Sequence, residues 1–238
     1  VLEPEFLRIA AELSETMQLT TPIPKLCTLV TASPIDAAIH DGFGKASGIN
    51  SYNGLSEAFM SWDVSHYLNE SFAAKYLDQY TLRTPKPKMP LYHLIGALDA
   101  LTDTDISKRL NDGLPETLPE WILANGLTHL KIKLNGSDLN WDIQRVLSIE
   151  KVVAETQTKR WVSEWCYSAD FNETCKDVEY LLEFLRQIQE GEGRAFERLA
   201  YIEQPTDRAL KAHSENKMHK AAAIKPVVID ESLTDFET

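Results

Sequence analysis

From Leu91 onward the apolar residues of this chain change period repeatedly, and that alternation constrains the fold more than any composition figure. Leu91 to Gly96 reads as a strand, Leu114 to Asn125 as a helix and Thr128 to Leu134 as a strand. Leu139 to Thr156 then reads as a helix, Arg160 to Ala169 as a strand and Cys175 to Gln189 as a helix. Leu199 to Ile202 (strand), Ala209 to Ala222 (helix) and Pro226 to Ile229 (strand) complete the series. Strands separated by helices pair in parallel through right-handed crossovers, because a single connection must carry the chain back to the same end of the sheet.

A doubly wound sheet and a (β/α) barrel both satisfy this alternation. A doubly wound nucleotide fold needs a glycine-rich turn after its first strand, and Ile95-Gly96-Ala97-Leu98 offers a single glycine. In a barrel, polar residues at the C-terminal ends of successive strands line one mouth. Three runs here end in that way: Tyr-Ser-Ala-Asp170, Tyr-Ile-Glu203 and Val-Val-Ile-Asp230. The expected fold is therefore α/β, a modified TIM (β/α) barrel of which this chain supplies about five βα units.

The gaps between Asp170, Glu203 and Asp230 each fit one βα unit, and neighbouring strands lie roughly 4.8 Å apart. Carboxylates leaving three consecutive strand ends can converge on one ion, and three anions held together repel unless a cation pairs them. An oxygen-binding divalent metal, Mg2+ foremost and Mn2+ as an alternative, meets that need. A single strand-end acid is more often a helix cap or a solvated side chain; the joint placement carries the argument. One strand earlier, Leu130-Lys131-Ile132-Lys133-Leu134 puts Lys131 and Lys133 on one face by alternation. A partly desolvated lysine there can have its pKa lowered enough to act as a base, whereas an edge strand would leave both lysines solvated. Asn172 can turn back toward the metal or a substrate. Glu231 competes with Asp230 as third ligand, and alternation allows one of the two to face the ion, with Asp230 preferred.

At 238 residues and 43% hydrophobic content the chain can bury a sizeable core. A net charge of -12 and the lack of a prominent Lys/Arg cluster argue against nucleic-acid binding. Cys27, Cys166 and Cys175 lack metal-ligand spacing and read as reduced thiols, which points to the cytoplasm. No apolar run approaches the ~18 residues of a membrane span. Val1 is not a start methionine and Thr238 stops just past the third acidic motif, so the chain reads as a piece of a longer protein.

The first third is helical in pattern. Phe6, Leu7, Ala10, Leu13 and Met17 form one stripe, interrupted by Pro22 and Pro24. Ser33 and Pro34 read as the N-cap and first residue of a second helix reaching about Ala46 and ended by Gly48. The aromatics between Leu55 and Leu82 suggest one or two further short helices. The proline-punctuated Thr84-Pro-Lys-Pro-Lys-Met-Pro90 suits a linker, which gives two expected domains, 1–84 and 85–238.

The ordered set Lys-Ile-Lys, Asp-Phe-Asn, Ile-Glu-Gln-Pro and Ile-Asp-Glu-Ser resembles the enolase superfamily, nearest its mandelate racemase and muconate lactonizing enzyme branch. Ser33 to Gly48 is similar to a helix of that family's capping domain. The resemblance runs from about residue 30 to the end. It implies that 1–84 is the helical part of an α+β capping domain. It also implies that Mg2+ held by Asp170, Glu203 and Asp230 stabilises an enediolate formed from a small carboxylate substrate. Lys133 would be the base and Lys131 its support, with Asn172 and Glu231 near substrate or metal. A full-length chain would associate with further copies of itself. The family's second acid/base lies on later strands. Trp161 to Tyr167 is longer and more aromatic than the family's third strand, and Gly191 to Arg194 looks like an extended loop.

The reaction so implied is racemisation, epimerisation or cycloisomerisation alpha to a carboxylate. A sugar-acid dehydratase of the same superfamily is the alternative, as is a catalytically incomplete fragment that binds metal.

Overall fold

The structure is a computed structural model that describes residues 2–191 and 193–233. The chain divides into two compact units, Val1–Pro87 and Lys88–Thr238.

In the first unit, α1 (Glu3–Thr16) carries Glu3 and Glu5 in its first turn, where acids favour the positive end of the helix dipole. The buried Ser14 Oγ donates to Ala10 O at 2.7 Å and accepts from Ile23 N at 3.1 Å, which ties the returning chain to the helix. The second helix, α2 (Lys25–Ser47), begins after Pro24 and not at Ser33, so Pro34 lies inside it. Pro34 has no N–H to give the Val30 carbonyl, and Ser33 Oγ donates to that oxygen instead, at 3.0 Å. What read as an N-cap serine is the local replacement for a missing backbone bond. Gly48, at φ +65°, ends α2 in the left-handed conformation that glycine adopts without penalty.

The short helices expected between Leu55 and Leu82 are single 3-10 turns at Val64–His66, Glu70–Phe72 and Leu77–Gln79, preceded by another at Ser51–Gly54. Asn50, Asp63 and Asn69 each accept from the backbone N–H two residues on, at 3.0 Å. These local bonds satisfy the backbone without a helix.

The second unit is a parallel sheet. Its strands are β1 (Tyr92–Ile95), β2 (His129–Lys133), β3 (Cys166–Asp170), β4 (Leu199–Glu203) and β5 (Val227–Val228). Its helices are α3 (Leu118–Asn125), α4 (Leu139–Lys159), α5 (Val178–Gly191), α6 (Gly193–Arg198) and α7 (His219–Ala222). The strands pair in the order β1-β2-β3-β4-β5, all parallel. A doubly wound sheet reverses its strand order at a switch point, and this sheet does not; consecutive order is the winding of a (β/α) barrel.

Four segments differ from the sequence reading. The first helix of this unit starts at Leu118 and not at 114, because Thr117 and Glu120 form a reciprocal capping box. Residues 160–165 are not strand: α4 runs to Lys159, and its Gln157 carbonyl accepts from Arg160 N and Val162 N at 3.0 and 3.1 Å. The stretch 209–218 is a chain of turns rather than a helix, helped by Asp207, which accepts from Ala209 N at 2.7 Å. Gly191 and residues 193–194 are helical, not an extended loop.

The core lies between one face of the sheet and the helices. Leu130, Ile132, Tyr167, Ala169 and Ile202 supply the sheet side; Ile149, Leu181, Phe184 and Ile188 are among the helix residues that cover it. Each buried Leu, Ile or Phe among them contributes on the order of 1.5–3 kcal/mol. Alternation then sends Lys131, Lys133, Ser168, Asp170 and Glu203 to the opposite face.

Candidate functional site

Two registers of that opposite face build the site. Lys133, Asp170, Glu203 and Val228 lie side by side across β2 to β5, and Lys131, Ser168 and Tyr201 form the row beneath. The upper row sits at the carboxyl ends of the strands, where the chain leaves the sheet.

Lys131 Nζ lies 2.9 Å from Asp170 Oδ2 and 2.6 Å from Glu203 Oε1, and Lys133 Nζ also donates to Asp170 Oδ2. The Asp170 side chain is fully buried and that of Glu203 is 10% exposed, whereas each lysine keeps about a quarter of its surface. Asp170 Oδ1 accepts from Asn172 N at 2.8 Å. Burial alone would raise the Asp170 carboxyl; the bonds from Lys133, Lys131 and the Asn172 N–H outweigh it and hold the group below the ordinary carboxylate value. Burial likewise draws the Lys131 ammonium down, but its bonds to Glu203 and Asp170 prevail and its pKa is raised. Lys131 is thus held charged, contrary to the expectation of a depressed lysine, because its neighbours are carboxylates.

Asp230 stands beyond the end of β5, exposed, with its N–H donated to Gln204 Oε1 at 2.9 Å. Glu231 Oε1 accepts from Asn172 Nδ2 at 3.2 Å, and its Oε2 is buried without a hydrogen-bond partner. Lys131, Lys133, Asp170 and Glu203 are therefore brought together, and Asn172 joins the Asp170 end to Glu231. Among the described residues, no group of three or more His, Cys, Asp and Glu side chains is arranged to hold a metal ion. The Asp170–Glu203 pair nevertheless fits a hard cation, since an oxygen of each converges on one cationic nitrogen and the donors are all oxygen.

No family model and no curated protein matches the chain. Among solved structures it is similar to the mandelate racemase/muconate lactonizing protein of Herpetosiphon aurantiacus, at 24% identity and a TM-score of 0.37. That alignment covers 48% of this chain and 28% of the other. A mandelate racemase/muconate lactonizing enzyme of Roseiflexus sp. aligns at 23% identity and a TM-score of 0.37, over 48% and 29% of the two chains. Muconate cycloisomerase of Pseudomonas fluorescens aligns at 23% identity and a TM-score of 0.33, over 48% and 27%. The aligned part thus spans less than a third of each of these chains. Among the described residues, no helix is long and apolar enough to cross a membrane.

Two residues that support the site were not singled out as doing so from the sequence. Asp142 on α4 is fully buried and accepts from Asn135 N at 2.7 Å, Gly136 N at 2.9 Å and Tyr180 Oη at 2.7 Å. It closes the turn directly after Lys133. Gln204 is 1% exposed and bonded across to the turn that follows β5. Asp142 gives no local signal beyond an acid in a first helical turn, and Asp230 and Ser232, to which Gln204 is bonded, lie more than twenty residues downstream.

Proposed function

We propose that this chain carries the metal and base half of a site that removes a proton alpha to a carboxylate, as in the enolase superfamily. The observation that carries the reading is the joining of Lys131, Lys133, Asp170 and Glu203, from three consecutive strands, into one part-buried charge cluster.

Asp170 and Glu203, with Asp230 as the third acid, would hold Mg2+ or Mn2+. A divalent cation there supplies Lewis-acid neutralisation of charge that develops on the substrate carboxylate. Lys133 lies in the upper row, nearest the open end, and exchanges the proton: as the free amine it removes it, as the ammonium it returns it. Lys131, one row below, would offset the negative charge that the α-carbon passes to its carboxylate. Asn172 and Glu231 border the same end of the sheet. The substrate class is a small carboxylate, and the outcome is racemisation, epimerisation or cycloisomerisation. A dehydratase begins with the same abstraction and then expels a hydroxyl.

The test is incorporation of solvent deuterium, with Mg2+, into a panel of carboxylates by this protein. The reading expects exchange that Lys133→Ala and Asp170→Asn each reduce by at least about 10²-fold. Exchange that survives both substitutions overturns it, and loss of a hydroxyl from the exchanging substrate selects the dehydratase.

A further inference from the structure

We infer that Gln204 is a positioning residue whose side-chain amide fixes where the turn bearing Asp230 and Glu231 stands relative to the Asp170–Glu203 carboxylates. The inference rests on the proposed metal site, of which Asp230 is the proposed third acid, and adds to it the residue that holds the turn carrying that acid.

β5 is two residues long, and its register with β4 ends at the pair Glu203 and Val228. Gln204 N still donates to Val228 O at 3.0 Å. Beyond that point the side chain of Gln204 takes over from the ladder. Its Oε1 accepts from Asp230 N at 2.9 Å and from Ser232 N at 3.2 Å. Its Nε2 donates to Ser232 Oγ at 2.8 Å and to Thr206 O at 3.0 Å. A primary amide offers two donors and two acceptor lone pairs, and all four are used inside the protein.

The backbone around it is equally constrained. Gln204 has φ +33°, and Asn172 and Glu173 at the exit of β3 have φ +46° and +69°. Side chains adopt this region rarely, and it persists where the surroundings over-determine it. Glu173 N donates to Gln204 O at 2.8 Å, so the exits of β3, β4 and β5 meet at this one residue. Glu231 supplies a second observation: its Oε2 is buried without a partner beside the turn that Gln204 holds.

The experiment is titration of Mn2+ into the chain, followed by loss of the free-ion paramagnetic resonance signal, for the parent, Gln204→Met, Asp230→Asn, Asp170→Asn and the Gln204→Met/Asp230→Asn double variant. Thermal unfolding without metal confirms that each is folded. Gln204→Met is expected to bind Mn2+ roughly 10- to 100-fold more weakly, the usual loss when a residue that orients a ligand is removed. The double variant is expected to bind no more weakly than Asp230→Asn alone, because Gln204 acts through that acid. Gln204→Asn, which draws the amide back by one methylene, replaces Gln204→Met if the latter does not fold, with the same expectations. If folded Gln204 variants bind like the parent while Asp230→Asn does not, or if the two losses multiply, the role of Gln204 is overturned and the metal site stands. If the parent does not bind Mn2+, or binds it equally after Asp170→Asn, the metal reading falls and the role of Gln204 falls with it.

Discussion

Lys131 on β2 meets Glu203 on β4 at 2.6 Å, reaching across the whole width of β3 to do so. On the way its ammonium also contacts Asp170, so one cation neutralises carboxylates from two different strands. The rule that clustered buried anions need a positive partner is obeyed within the chain itself.

Lys131→Met should therefore leave the buried Asp170 and Glu203 short of a partner. In the presence of a chelator the variant is expected to lose about 2 kcal/mol, less than for a fully buried pair because the lysine is partly exposed. Mg2+ should then raise the melting temperature of the variant more than that of the parent, since an ion that binds the folded state stabilises it by mass action. Equal shifts in differential scanning calorimetry would contradict this.

Acid should uncover the same cluster. The folded pKa of Asp170 lies below its unfolded value of about 3.9, so its contribution is present above that pH and lost as pH falls through the folded value. The Lys131 pKa is raised, so its contribution is present below about 10.4 and lost as pH rises through its folded value. Metal-free Asp170→Asn should show a shallower fall in urea-unfolding stability below about pH 4 than the parent. An unchanged acid limb would contradict the ion pairing.

Much of this cluster was legible in the sequence, and the limits are physical. A period of two put Lys131 and Lys133 on one face and the acids at strand ends, because strand alternation is local. The pairing of the acids by lysines was not anticipated: charge balance demands a cation, and nothing in the sequence says which. Ser33 and Pro34 misled because the same dipeptide that starts a helix also repairs one. Gln204 bonds to Asp230 and Ser232, far along the chain, and no local pattern announces such a contact.

Gly136 allows the turn after Lys133 to pack against the exit of β3. It has φ +70°, and an added Cβ would lie 2.2 Å from Thr174 Oγ1 and 2.9 Å from Cys175 N. Gly136→Ala should cost at least about 2 kcal/mol, from the left-handed backbone and the clash together. Chemical denaturation would measure it, and a neutral substitution would contradict the packing.

Thiol reactivity should separate the cysteines. Cys175 is buried, and burial, reinforced by the charges of Asp142 and Asp177, pushes its thiol well above the ordinary range. Cys27 is exposed. A disulfide reagent is expected to label Cys27 in the native protein and Cys175 only on unfolding. Rapid native labelling of Cys175 would show that the core around it opens.

The central claim is that Asp170 and Glu203 form a cation site beside a lysine base. Equilibrium dialysis of Mn2+ against the parent, Asp170→Asn and Glu203→Gln tests it most directly. One ion bound by the parent and at least about 10²-fold weaker binding by both variants is the predicted result, since each removes a charged oxygen ligand. No binding by the folded parent, or equal binding by all three, would contradict it.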